Sequence, residues 1–106
     1  MMGKNQVVFD VEESGILGIL SSRDGLILLT VAELTGVAED REFSESPGLI
    51  AKRAGGFLSG AVRPESVSFA LLRMADRGII VELELSRHLV VGRIADYHRL
   101  VELAMD

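Results

Sequence analysis

The chain opens on a short stretch in which apolar and polar side chains alternate. Over Gln6–Val11, the side chains of Val7, Phe9 and Val11 fall on one face of an extended backbone. A period of two predicts a β-strand. The alternative is a short helix with Val7, Val8 and Val11 on one side.

Two apolar runs follow, Ile16–Ser21 and Leu26–Val31, with the polar residues 22–25 between them. These four residues end in Asp-Gly, which supplies a residue that readily adopts a positive φ, so the pattern predicts a β-hairpin. Because both runs are apolar on both faces, we expect the hairpin to be central in a sheet and covered on two sides.

Glu33–Ser46 is the most polar part of the chain, with five acidic residues against Arg41 alone. Charge runs of this kind are typical of solvated loops, and a loop is the prediction here. The alternative is an acidic contact loop for a basic partner.

Ser46-Pro47 is a helix start, with Ser46 as N-cap and Pro47 in the first helical position. The helix is predicted to run to Val62, because Arg63-Pro64 ends it. One stripe at helical spacing is assigned to the core: Ile50, Ala54, Phe57, Leu58, Ala61 and Val62.

A second stripe of the same helix either packs on the protein's own sheet or meets another chain. Its small residues permit close approach of a neighbouring element. We predict that this stripe and the strand that follows form the interface of a homodimer: Leu49, Arg53, Gly56, Gly60, Val67, Phe69 and Leu71.

The rest of the chain predicts three strands, Val67–Met74, Ile79–Leu85 and His88–Ala95, joined by short turns as an antiparallel meander. Asp96 then caps a last helix whose apolar residues recur at helical spacing. The predicted order β–ββ–α–βββ–α describes a single α+β domain over residues 1–106: one mixed, mainly antiparallel sheet with helices packed on it.

Composition narrows the choice of partners and compartment. A net charge of −5 and the absence of Trp disfavour nucleic-acid binding. The chain has no Cys, which excludes disulfides and thiolate metal sites and fits a reducing compartment. No signal peptide is recognised at the N-terminus, and the longest apolar run is short of a membrane span. We therefore expect a cytoplasmic protein without a membrane span.

Motifs for catalysis are absent from the sequence. Gly55–Gly60 has the glycine spacing of a phosphate-binding loop, but Ala61 and Val62 follow where Lys and Ser or Thr are needed. His88 and His98 are ten residues apart and have no ligand motif around them. No G-x-S-x-G nucleophile elbow occurs. We expect no enzymatic activity, no metal and no cofactor.

The segment GILGILSSRDGLIL, residues 15–28, resembles the Roadblock family, which includes dynein light chains. In that family two apolar strands around such a turn open the sheet, and an Ala- and Gly-rich helix follows. LIAKRAGGFLSGAV, residues 49–62, is similar to that helix. The resemblance covers residues 15–106 and implies a Roadblock (profilin-like) fold, with residues 1–14 as an atypical N-terminal segment.

The resemblance also implies a function. Roadblock proteins are non-catalytic, form homodimers or heterodimers, and bind or regulate small Ras-like GTPases or act as adaptors in signalling and motor complexes. We therefore expect a dimeric regulatory or scaffold protein with a small GTPase as partner. The alternative is a small-molecule-sensing or enzyme-like pocket domain of a related α+β fold.

Overall fold

Helices dominate the N-terminal part of the chain, and most of the sheet lies in the C-terminal part. The computed structural model describes residues 5–36, 39–55 and 62–106. In chain order the elements are α1 (Gln6–Glu13), a 3₁₀ helix (Ile16–Ile19), α2 (Ser22–Leu34), β1 (Glu42–Glu45), α3 (Pro47–Gly55), α4 (Pro64–Asp76), β2 (Ile80–Leu85), β3 (Val90–Ile94) and α5 (Tyr97–Met105).

The three strands form an antiparallel sheet in the order β1–β3–β2. In the central strand, Gly92 lies opposite Phe43 of β1. A Cβ added at Gly92 would lie 2.9 Å from the Cζ atom of Phe43. The phenyl ring therefore occupies the space that any other residue at position 92 would need.

α2 is the centre of the helical layer, because it contacts α1, α3, α4 and β1. α4 in turn packs on β2. The core between helices and sheet includes Phe43, Ile27, Leu28, Ile50, Leu71, Met74, Ile80 and Ile94, each less than 2% exposed. Helices packed on an antiparallel sheet confirm the predicted α+β class.

The strand predicted over Gln6–Val11 is wrong, and the helical alternative is the observed one. The Asn5 side chain accepts a hydrogen bond from the Val8 N–H at 2.8 Å and so caps α1. Val7, Val8 and Val11 are all buried on one side of this helix. An N-cap together with burial at helical spacing outweighs the alternation and the β-branched residues.

The predicted hairpin over residues 16–31 is also wrong, because this segment forms the 3₁₀ helix and α2. Ser21 accepts a hydrogen bond from the Asp24 N–H at 3.2 Å, so it is an N-cap rather than the end of a strand. Asp24 lies in the first turn of the helix, where an acidic side chain is favourable. A run that is apolar on every side fits a buried helix as well as a buried strand.

Val67–Met74 is part of α4 and not a strand. Val67, Ala70, Leu71 and Met74 are fully buried at the i, i+3, i+4, i+7 spacing of one helix face. Pro64, which was expected to end a helix, occupies the first turn of this one. The hairpin and the first strand of the meander, which are two of the elements in the Roadblock resemblance, are thus helices in this structure.

The acidic stretch contains a strand that its sequence pattern does not predict. Glu42–Glu45 forms β1, which is too short and too polar to be distinguished from a loop by its pattern. Phe43 is its one buried side chain, at 1% exposure. The loop prediction is therefore wrong for these four residues and for residues 33–34, which end α2. An acidic contact with a basic partner stays a prediction.

Several predicted elements are confirmed. Ser46 caps α3 by accepting a hydrogen bond from the Leu49 N–H at 3.1 Å. β2 and β3 lie within the predicted strands, and Asp96 caps α5. α3 is described as far as Gly55, and residues 56–61 lie outside the described part. Val62 is not helical, so the prediction that this helix includes Val62 is wrong.

None of the helices in the described part of the chain combines the length and the apolar character that crossing a bilayer requires.

Candidate functional site

The outer face of α4 carries large apolar side chains. While Val67, Ala70, Leu71 and Met74 fill the core, Phe69 is 62% exposed and Leu72 is 47% exposed. These two are three residues apart, so they are neighbours on the helix surface. α4 is therefore apolar on its inner face and also on part of its outer face.

The apolar outer face continues onto β2. Leu72 lines an open groove of about 500 Å³ together with Ala75 of α4 and with Ile80, Val81, Glu82, Leu83 and Leu85 of β2. Val81 is 38% exposed and Leu85 is 37% exposed. We call Phe69, Leu72, Val81 and Leu85 the α4–β2 surface. Its large apolar side chains lie on adjoining elements and not singly, which is the pattern of a contact site.

Charged residues border this surface. Glu65 is exposed one turn before Phe69, and Arg73 follows Phe69 by one turn. Among the described residues, Glu65 has no ionic partner. Both signs of charge are thus present at the rim of an apolar centre, as in protein–protein interfaces.

Arg73 also ties α4 to α2. Its Nη2 donates to Asp24 Oδ1 at 2.7 Å, and its Nε donates to Asp24 Oδ2 at 3.1 Å. This hydrogen bond to Asp24 raises the pKa of Arg73 above its ordinary value. The pair fixes the position of α4 on the helical layer.

A second ionic contact anchors α1. Arg41 donates from Nη1 to Asp10 Oδ2 at 2.7 Å, from Nε to the Ile94 carbonyl at 3.0 Å and from Nη2 to the Ala95 carbonyl at 2.7 Å. Its backbone has a φ of 63°, an uncommon value for a residue other than glycine. Each of the three guanidinium nitrogens donates to a group of the protein itself, so this cluster holds the structure together.

Within residues 5–36, 39–55 and 62–106, no three His, Asp or Glu side chains converge in a way that would hold a metal ion. His88 is exposed in the β2–β3 turn, and His98 is exposed in the first turn of α5.

The predicted interface residues are distributed over three environments. Val67 and Leu71 lie in the core at 0% exposure, so their assignment to an interface is corrected: the segment is a helix, and both side chains are on its inner face. Leu49 is half-buried and Arg53 is exposed, both on α3. Gly56 and Gly60 lie outside the described residues. Of the predicted interface residues that the structure describes, only Phe69 is part of the α4–β2 surface.

The sequence pattern did not identify Leu72, Val81 and Leu85 as exposed apolar residues of this surface. A helical interpretation of residues 64–76 would have identified Leu72, because Val67, Ala70, Leu71 and Met74 then take the inner face and leave Phe69 and Leu72 outside. For Val81 and Leu85 no such signal exists, since alternation along β2 predicts that its apolar residues face the core.

Comparisons with models of known families, with curated proteins and with solved structures find no match to this chain.

Proposed function

We propose that the protein is a non-catalytic regulatory or scaffold module that forms a homodimer through its α4–β2 surface. The observation that supports this proposal is the exposure of Phe69, Leu72, Val81 and Leu85, between 37% and 62%, on adjoining elements. Removing a large apolar side chain from water contributes about 1.5–3 kcal/mol when burial is complete. A second copy of the chain presents the same surface, and this makes a two-fold interface the simplest way to cover it.

Sedimentation equilibrium of the wild-type protein over a wide concentration range tests the dimer. We expect a mass that rises with concentration to twice that of one chain. The mass of a single chain at every concentration would overturn the proposal.

A small Ras-like GTPase is the second protein that the dimer binds in this proposal. This partner rests on the resemblance of residues 15–28 and 49–62 to Roadblock sequences; residues 16–34 contain the 3₁₀ helix and α2, so the strand pair that opens the Roadblock sheet adds no support. Calorimetric titration with GTPases of the same genome, loaded with GDP or with a GTP analogue, tests this partner. A binding heat that saturates during the titration with one GTPase would support this partner. The absence of binding heat with every GTPase would overturn it.

The topology favours DNA binding as a second candidate function. α3 and α4 contact each other, the β2–β3 hairpin follows them, and β1 adds to the same sheet beside β3. This order is that of winged helix-turn-helix domains, whose second helix enters the major groove of DNA. The candidate conflicts with the expectation that the protein does not bind nucleic acid.

The chemistry of α4 is unfavourable for that role. Its exposed face offers Glu65, Phe69, Leu72 and a single base, Arg73, which is already bonded to Asp24, whereas reading base edges calls for several Arg, Lys, Asn or Gln side chains. The net charge of −5 adds repulsion from phosphate. We therefore place the dimeric module first.

Fluorescence anisotropy with a labelled random-sequence duplex distinguishes the two candidates. DNA binding predicts an anisotropy increase at low salt that weakens steeply as salt is raised. The dimeric module predicts no increase at either salt concentration.

A further inference from the structure

One row of side chains on α4 has a charge order that suits pairing with itself. Glu65, Phe69 and Arg73 are each four residues apart, so they form one i±4 row along the helix surface. All three are exposed, and Phe69 is the centre of the row with an acid on one side and a base on the other. Rows of this kind are the ridges by which helices pack against one another.

We infer that the dimer forms by antiparallel packing of α4 on the α4 of a second copy, with the two-fold axis at Phe69. This inference rests on the proposed homodimer and specifies its geometry. A two-fold axis at Phe69 places the two phenyl rings against each other. It also brings residue 65 of one chain beside residue 73 of the other, so that Glu65 meets Arg73 twice.

Charge complementarity selects this register. If the two-fold axis instead passed between Phe69 and Leu72, Glu65 would face Asp76 of the other chain in both symmetric contacts. Like charges directly opposed at an interface are unfavourable, whereas opposite charges steer and fix the register. Within the described structure Glu65 has no ionic partner, so it is free to form the contact.

The guanidinium of Arg73 can donate a hydrogen bond to a second carboxylate besides that of Asp24. Its Nη2 and Nε atoms are bonded to Asp24, while Nη1 makes no hydrogen bond within the described residues. The side chain is 57% exposed, so a carboxylate of a second chain reaches it from the solvent side. In the dimer the guanidinium then lies between Asp24 of its own chain and Glu65 of the other.

Charge reversal with mixing of variants tests the register. Glu65→Arg and Arg73→Glu are each made in an Asp24→Asn background, so that the reversal at position 73 does not set two carboxylates side by side. In a homodimer of either variant, residues 65 and 73 carry charges of the same sign and face each other in both symmetric contacts. We therefore expect the dissociation constant of each homodimer to rise about tenfold or more over that of the Asp24→Asn parent. In the mixed dimer both contacts join opposite charges, so an equimolar mixture should dimerise as tightly as the parent.

Sedimentation equilibrium of the two variants and of their mixture gives the readout, and thermal denaturation shows that each variant is folded. Weak self-association of both variants with restored association in the mixture supports the register. Variants that dimerise as well as the parent, or a mixture that stays as weak as its components, would overturn the register while leaving the dimer in place. A monomeric wild type would instead overturn the proposed dimer itself.

Discussion

Arg73 on α4 and Asp24 in the first turn of α2 form a two-bond ion pair, with the shorter bond, from Nη2 to Oδ1, at 2.7 Å. The Asp24 side chain is 10% exposed, whereas that of Arg73 is 57% exposed. The pair fixes α4 on α2, so that Phe69 and Leu72 face solvent on the opposite side from the core. A guanidinium is charged at any ordinary pH, and the pairing raises the pKa of Arg73 further.

Asp24 is more deeply buried than Arg73, so we predict that removing one or the other lowers the free energy of unfolding by different amounts. Arg73→Ala leaves a largely buried carboxylate without its cation, and we expect a loss of about 1–3 kcal/mol in the free energy of unfolding. Asp24→Asn leaves a cation that water reaches, and we expect a loss of about 1 kcal/mol or less. Urea denaturation of both variants measures the two values. A larger loss for Asp24→Asn would contradict this account of the pair.

Arg41 is predicted to be the main link between α1 and the end of β3. Its side chain is 17% exposed and that of Asp10 is 11% exposed, so Arg41→Ala breaks a largely buried pair and should cost about 3 kcal/mol. Arg41→Lys keeps the charge but loses the fork of donors, so it should recover only part of that loss. Urea denaturation gives the free energies, and hydrogen exchange of the α1 amides locates the effect. If Arg41→Lys were as stable as the wild type, the positive charge alone would account for the contribution of Arg41 to stability, and this prediction would be contradicted.

Because Gly92 of β3 lies opposite Phe43 of β1, we predict that substitutions at these two positions have non-additive effects on the free energy of unfolding. Gly92→Ala places a methyl group 2.9 Å from the Phe43 ring and should cost about 1–3 kcal/mol. Phe43→Leu shortens the ring side chain, so the double variant should lose less stability than the two single losses added together.

Gly48→Ala is the matched control, because an added Cβ at this α3 position meets nothing within 4 Å. Its stability should be unchanged or higher by about 1 kcal/mol at most. Strict additivity at Gly92 and Phe43 would contradict the observed strand register.

The sequence predicted the C-terminal elements better than the N-terminal ones. Asp96 and the turn between β2 and β3 are local signals, and both have the predicted roles. Leu26–Val31, in contrast, is apolar on all sides, so its pattern contains no period by which a helix differs from a strand. The signal that marks this segment as a helix is Ser21, with the acidic Asp24 three residues later, because that spacing is typical of a helix N-cap. Since Gly25 follows Asp24, the same residues resemble the Asp-Gly turn of a hairpin.

The candidate site could be predicted only in part for the same reason. Phe69 was predicted to lie at an interface; it is exposed, but on a helix and not on the predicted strand. Alternation placed Val67 and Leu71 on the same face as Phe69, whereas the helix turns them toward the core. The groove beside Leu72 depends on how α4 packs on β2, a long-range contact that no local pattern encodes.

The central claim is that the α4–β2 surface joins two copies of this chain. Phe69→Ser removes the most exposed side chain of that surface, and Phe9→Ser is the matched control, since Phe9 is 48% exposed on α1. The most direct measurement is the molar mass of both variants and of the wild type by sedimentation equilibrium at one concentration. The account predicts twice the 11.5 kDa of one chain for the wild type and for Phe9→Ser, and a mass near 11.5 kDa for Phe69→Ser. A wild type at the mass of one chain, or a Phe69→Ser variant that remains fully dimeric, would contradict it.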